Sequence, residues 1–192
     1  EEGTMNTLNL CRILNDLIDN DDTYLIADGG DFVGAASYTV KPRQPLHWLD
    51  PGAFGTLGCG AGFALGVKAL NPKANVVMLY GDGSFGWSIA EFDTFRRFKF
   101  GLIAIIGNDS CWHQMYRDQV RILKDTTATL LANGTRYDKV VEGFECKGYL
   151  ATNPNEFITA FKDAQKYAAK GIPCVINALI SKSKFREGSI SL

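Results

Sequence analysis

The sequence predicts an α/β fold: a doubly wound, mainly parallel sheet with helices on both faces. Its apolar segments are short continuous runs, not alternating patterns, as strands buried on both faces require. These runs alternate with segments of helical periodicity, the order that βαβ units produce.

Leu8, Leu10, Cys11, Leu14, Leu17 and Ile18 recur at helical spacing and stop at the polar run Asp19 to Asp22. Tyr24 to Ala27 is a short strand that breaks at Asp28-Gly29-Gly30. A glycine-studded segment, Gly52 to Gly66, leads into a helix ending near Asn71-Pro72. Val76 to Tyr80 reads as a strand, Ser88 to Phe98 as an amphipathic helix, and Leu102 to Ile106 as a third strand. After a long polar stretch, Tyr137 to Gly143 is helical and Gly148 to Ala151 is a short strand. Pro154 to Lys170 forms a helix with Asn153 as its cap, Pro154 at its first position and Gly171 past its end. Cys174 to Ile180 closes the pattern as a strand.

A length of 192 residues favours one domain, residues 1–192, with no Pro/Gly/Ser-rich linker to divide it. Hydrophobic content of 46% with 21% charged residues excludes a disordered or fibrous chain. Twenty Lys and Arg against 21 Asp and Glu leave a net charge of -1, without the basic face that sequence-independent nucleic-acid binding needs. The longest apolar runs fall far short of the roughly 18 to 20 residues of a membrane span, so a soluble chain without membrane contact is expected. The five cysteines lack CxxC spacing and meet only two histidines, which argues for scattered reduced thiols over a zinc site. The opening Glu1-Glu2-Gly3 lacks Met and any signal-peptide pattern, and suggests a piece of a longer intracellular protein.

In a doubly wound sheet, ligands bind outside the carboxyl ends of the strands. Those ends carry Asp28-Gly29-Gly30-Asp31, Gly81-Asp82-Gly83-Ser84 and Gly107-Asn108-Asp109-Ser110. Asp82 and Asn108 each follow a buried strand, with one helix between them. A right-handed crossover brings such strands side by side, and one anionic with one neutral oxygen suits Mg²⁺ better than zinc. Mg²⁺ completes its shell with phosphate oxygens, which the glycines and Ser84 at a helix start can meet. Taken singly, Asp82 is a helix cap and Asn108 a turn residue; taken together, they point to a metal-diphosphate site. No P-loop lysine follows these glycines, and Gly58-Cys59-Gly60-Ala61-Gly62 follows no convincing strand, which disfavours Walker-type and dinucleotide sites.

Gly81-Asp82-Gly83-Ser84, followed by Asn108 26 residues after Asp82, resembles the thiamine diphosphate motif of GDG, a spacer and Asn. Trp48-Leu49-Asp50-Pro51-Gly52-Ala53-Phe54-Gly55-Thr56-Leu57-Gly58 is similar to the segment that holds the aminopyrimidine in acetolactate-synthase-like enzymes. Asp28 to Gly34, the Trp48 segment and the ending Phe185-Arg186-Glu187-Gly188-Ser189-Ile190 resemble the 2-hydroxyacyl-CoA lyase branch of that family. The resemblance covers almost the whole chain as a C-terminal, diphosphate-binding domain. It implies that Asp82, Asn108 and the Ser110 carbonyl bind Mg²⁺, that Gly83 and Ser84 hold the diphosphate, and that Gly30 and Asp31 lie near its phosphate end. It also implies that Gly55 accepts from the 4′-amino group and that the Leu57 amide meets the opposite ring nitrogen. The Leu57 side chain would be the wedge that bends the cofactor, bringing its own amino group to the C2 proton.

The resemblance further implies a glutamate on a separate N-terminal pyrimidine-binding domain, contributed across a dimer interface of a homo-oligomer. Glu91 does not replace it, and no catalytic residue is expected in this chain by itself. The expected function is cleavage of a small-molecule 2-hydroxyacyl-CoA to an aldehyde and formyl-CoA by the parent lyase. The alternatives are an acetolactate-type transferase acting on 2-keto acids and a non-catalytic cofactor-binding subunit. Family resemblance also raises association of the parent with the endoplasmic reticulum membrane. Phe54, Trp87, Trp112 and Met115 are either core side chains or part of the interface with the missing domain. His113 reads as an exposed loop histidine or a proton shuttle, and Arg117, Arg121 and Lys124 as a solvated face or a CoA-phosphate contact.

Overall fold

The structure, a computed structural model, describes residues 4–184 and 186–188. Glu1 to Gly3, and Phe185, Ser189 and Ile190 of the closing segment, lie outside the described residues. Six strands form one all-parallel sheet: β1 (Thr23–Asp28), β2 (Trp48–Leu49), β3 (Asn75–Gly81), β4 (Ile103–Asn108), β5 (Lys147–Ala151) and β6 (Cys174–Leu179). Their order is β2-β1-β3-β4-β6-β5. The helices are α1 (Thr7–Leu17), α2 (Gly30–Thr39), α3 (Gly60–Leu70), α4 (Asp82–Ser88), α5 (Glu91–Arg97), α6 (His113–Leu123), α7 (Tyr137–Glu142) and α8 (Pro154–Ala168).

Each central strand feeds two cores, because successive side chains point to opposite faces. Leu25, Val77, Leu79, Ile103, Ile105 and Ile176 meet α1, α2 and α8 on one face through Leu10, Leu14, Phe32, Phe157 and Phe161. Ile26, Val76, Met78, Tyr80, Ala104 and Ile106 meet the other layer through Ala64, Phe85, Phe92, Phe95 and Val141. The predicted α/β class is therefore the observed one. At the start of α8, Asn153 Oδ1 accepts from Glu156 N–H at 3.0 Å while Glu156 Oε2 accepts from Thr152 N–H at 2.8 Å. This reciprocal pattern holds the predicted helix start.

Three features depart from the sequence expectation. The segment after Asp28 is not simply a break: α2 begins at Gly30, with only Phe32, Ala35 and Ala36 fully buried. Its residues are poor helix formers, so packing against α1 and the sheet decides its conformation. The expected helix 88–98 is observed as the shorter α5, and a separate helix, α4, precedes it and begins at Asp82 itself. The glycines there read as loop, yet the buried Phe85 holds the turn on the sheet. Within the expected polar stretch, α6 forms without a single fully buried side chain, so it leaves little core signal to read.

Strands run out from β1 in both directions, to β2 on one side and β3 on the other. That reversal opens the crevice where doubly wound sheets bind ligands. Register then sets what meets there: Asp28 is opposite Tyr80, and Gly81 is opposite Gly107.

Candidate cofactor site

Because Gly81 pairs with Gly107, the next residue of each chain segment, Asp82 and Asn108, emerges at one level at the carboxyl edge of β3 and β4. Both side chains are buried, each 3% exposed. Asp82 Oδ1 accepts from Gly83 N–H at 2.8 Å and Oδ2 from Cys111 N–H at 3.2 Å. Asn108 Oδ1 accepts from Ser110 N–H at 3.1 Å, and its Nδ2 donates to Asn177 Oδ1 at 3.0 Å and to the Thr135 carbonyl at 3.2 Å. The amide is thereby oriented with its oxygen toward the Ser110 turn. Ser110 has φ of 56°, and its carbonyl accepts from Leu131 N–H at 2.9 Å. A carbonyl or carboxylate oxygen has more than one acceptor direction, so each of the three oxygens retains capacity for a cation.

Burial first, and then the neighbouring Asp109 carboxylate, push the Asp82 carboxyl up to about 7 against the pull of three backbone N–H groups. A carboxyl raised this far by burial marks a candidate functional site. This donor set is hard oxygen throughout and fits a small divalent ion.

Above these residues lies a cavity of about 190 Å³, lined among others by Gly30, Asp31, Gly55, Leu57, Gly83 and Ser84. It brings together all six residues expected to contact a cofactor. Helices α2 and α4 both begin at this cavity; α2 has no side-chain cap on its first N–H groups, and in α4 the Asp82 carboxylate takes the Gly83 N–H, which leaves the remaining first-turn N–H groups as donors for an anion. The glycines here are places where the backbone is packed too closely for a side chain. A Cβ on Gly83 would lie 2.4 Å from the Trp112 ring, and one on Gly107 would lie 2.4 Å from Phe32. Gly55, in contrast, is exposed with φ of 64° and nothing within 4 Å of a Cβ. The Leu57 side chain is half-buried and lines the cavity.

Asp31 lines the cavity, but its carboxylate is turned to α6. It pairs with Arg117 Nη1 at 2.5 Å, with Arg186 Nη1 at 3.6 Å and faces His113 Nε2 at 3.9 Å. Its own contact to a bound anion would therefore run through the backbone. His113 is not an exposed loop residue. It opens α6, lines the cavity, and its Nδ1 meets Asp109 Oδ2 at 2.7 Å. That hydrogen bond raises its pKa against desolvation. Sequence reasoning misses these pairs: the four-residue spacing from Asp109 to His113 is the one local signal, and Asp31 meets Arg117 only through the fold. Arg121 is exposed beside Asp118, and Lys124 ends α6 in a left-handed conformation.

The aromatic and Met side chains divide. Phe54 is 90% exposed, Trp87 69% and Met115 54%, whereas Trp112 is half-buried against Gly83 with its ring 6.5 Å from that of Trp87. Among the described residues, all five cysteines are free thiols, and no helix is long and apolar enough to cross a membrane.

A doubly wound sheet with buried oxygen groups at adjacent strand ends, beneath two helix starts, is the architecture of a diphosphate-cofactor protein. Residues 28–178 match the family model described as the thiamine pyrophosphate enzyme C-terminal TPP binding domain, and the chain belongs to that family. It is similar to 2-hydroxyacyl-CoA lyase 2 of Danio rerio, 48% identical over 193 residues, covering 100% of this chain and 31% of the relative. It is also similar to a probable acetolactate synthase of Mycobacterium bovis, 36% identical over 162 residues, covering 84% of this chain and 29% of the relative. The fold matches a thiamine diphosphate-dependent 4-hydroxybenzoylformate decarboxylase of Rhodococcus jostii RHA1, with a TM-score of 0.83, 22% identity and coverage of 96% of this chain and 34% of that one. The chain thus spans about a third of the length of these proteins.

Proposed function

We propose that this chain is the C-terminal thiamine diphosphate- and Mg²⁺-binding domain of a longer C–C bond lyase, one that cleaves 2-hydroxyacyl-CoA to an aldehyde and formyl-CoA. The observation that carries it is the Gly81–Gly107 register, which sets Asp82 beside Asn108 under the cavity lined by the cofactor-contact residues. Asp82, Asn108 and the Ser110 carbonyl hold Mg²⁺. The backbone of Gly83 and Ser84, with that of Gly30 and Asp31, binds the diphosphate. The Gly55 carbonyl and the Leu57 amide would hold the aminopyrimidine, and the Leu57 side chain would be the wedge beside it. When bound, thiamine diphosphate supplies the electron sink for breaking a C–C bond beside a hydroxyl. The protein's share is orientation and fixed charge.

The lyase assignment rests on similarity at 48% identity to 2-hydroxyacyl-CoA lyase 2, against 36% for the acetolactate synthase relative. A full-length parent assayed with a 2-hydroxyacyl-CoA and with pyruvate separates the two, since a transferase would consume only pyruvate. The exposed Phe54, Trp87 and Met115 around the cavity support a covering partner, the pyrimidine-binding domain that carries the activating glutamate. The isolated chain should therefore bind Mg²⁺ and cofactor weakly and turn nothing over.

Calorimetric titration of thiamine diphosphate with Mg²⁺ tests the site directly. Binding should require the metal and vanish in Asp82→Ala. Equal binding by both proteins would remove Asp82 from the metal site.

A further inference from the structure

Asp28 ends β1 at the centre of the site, yet it is neither a metal donor nor a lining residue of the cavity. It is completely buried. Its two carboxylate oxygens reach the segment ahead of α3: Oδ1 accepts from Gly58 N–H at 3.1 Å and Oδ2 from Gly60 N–H at 2.8 Å, and the Ser84 hydroxyl also meets the carboxylate. These amides flank Cys59, which precedes the first turn of α3 and makes no side-chain cap. A carboxylate from a strand thirty residues away thus does what a capping side chain normally does.

The packing allows little else. A Cβ on Gly60 would lie 2.9 Å from the Asp28 Cβ and 3.1 Å from the Tyr80 hydroxyl, itself 3.2 Å from Ser88 Oγ. Gly58, with φ of 82°, turns against Trp87, where a Cβ would lie 3.0 Å from that residue's Cβ. Leu57 comes one residue earlier. With the Gly58 and Gly60 amides anchored from below, the backbone that carries Leu57 is held on its C-terminal side.

We infer that Asp28 is a positioning residue: its carboxylate fixes the Gly58–Gly60 amides and so holds Leu57 in place against the thiamine portion of the cofactor. This rests on the functional reading above and adds a residue to it. Burial raises the Asp28 carboxyl, and its two backbone donors and the Ser84 hydroxyl favour the charged form. Both acceptors are needed because two N–H groups point at them. An isosteric amide has only one acceptor, so Asp28→Asn leaves one buried N–H facing an N–H₂.

The test uses the full-length protein and Asp28→Asn, with two ligands: Mg²⁺-thiamine diphosphate and Mg²⁺-pyrophosphate, which lacks the rings. The variant should bind thiamine diphosphate about tenfold more weakly and lose distinctly less affinity for pyrophosphate, for which only the Ser84 hydroxyl beside Asp28 is disturbed. Retained pyrophosphate binding also reports an intact fold. In the unsubstituted protein without ligand, the Gly58 and Gly60 amides should already be protected from hydrogen exchange, and that protection should fall in the variant. Equal losses for both ligands would overturn the inference, since Asp28 would then merely support the fold. Free exchange of the two amides in the parent would also overturn it. Pyrophosphate binding without thiamine diphosphate binding by the unsubstituted protein would overturn the functional reading, and the inference with it.

Discussion

Stripped of divalent metal, the chain should lose stability as pH rises from about 4 to about 7, and Asp82 should carry a large share of that loss. The sign follows from its raised pKa. Between the ordinary carboxylate range and about 7, the folded chain keeps a proton on Asp82 that the unfolded chain has released. Stability falls with pH wherever the folded state binds more protons. The contribution is complete below the unfolded value and gone above about 7. The gap corresponds to on the order of 4 kcal/mol for a side chain this buried. Asp28, raised by burial, acts in the same direction, as does His113 at higher pH, so a single profile would blend the three. Urea unfolding at several pH values for the parent and Asp82→Asn separates them, because the difference between the curves reports Asp82 alone. That difference should steepen between pH 4 and 7 and flatten above; parallel curves would refute the buried acid. Saturating Mg²⁺ should restore stability at pH 7.5 and do much less at pH 5, where the metal must displace a proton.

Gly29→Ala should cost the chain several kcal/mol and remove cofactor binding together with stability. Gly29 has φ of +101°, a conformation that L residues rarely adopt, and it precedes the uncapped start of α2. A Cβ there would lie 1.7 Å from Ser84 Oγ, 2.7 Å from Ser84 Cβ and 3.4 Å from Leu57 Cδ2. Backbone strain of about 1–2 kcal/mol adds to about 1–3 kcal/mol for overpacking. Because Ser84 and Leu57 both belong to the proposed cofactor contacts, relief of the clash must move one of them. The double variant Gly29→Ala with Ser84→Gly should recover the steric part of the loss and keep the strain. Gly62→Ala is the control: it lies in α3 with nothing within 4 Å of a Cβ and ordinary φ. It should raise stability by about 0.5–1 kcal/mol through the unfolded state. A Gly29→Ala protein as stable as the parent would mean that the loop has room the structure does not give it.

The features legible in the amino-acid sequence are local or periodic. Val76 to Tyr80 and Leu102 to Ile106 announce buried strands because burial on both faces removes the alternation of polar residues. Asn153 and Pro154 announce a helix start because capping chemistry is confined to four residues. The helices that the sequence conceals lack those marks. Helix α2 is built of weak helix formers held by the sheet, and α6 has no fully buried side chain to set an apolar period. Asp28 is visible as one acid among several at a strand end, but nothing nearby in the chain marks Gly58 and Gly60 as its partners.

Residue types and their spacing carry the chemistry on offer: oxygen-bearing side chains and glycines at three strand ends, with 26 residues from Asp82 to Asn108. Which of these groups meet is a property of the folded sheet. Gly81 opposite Gly107 aligns the two donors, Asp109 holds His113, Asp31 turns to Arg117, and Asp28 anchors the loop ahead of α3. The reason is physical. Residue type and local spacing set what a group can bind, whereas strand order and register, which depend on the whole buried sheet, set what lies within its reach.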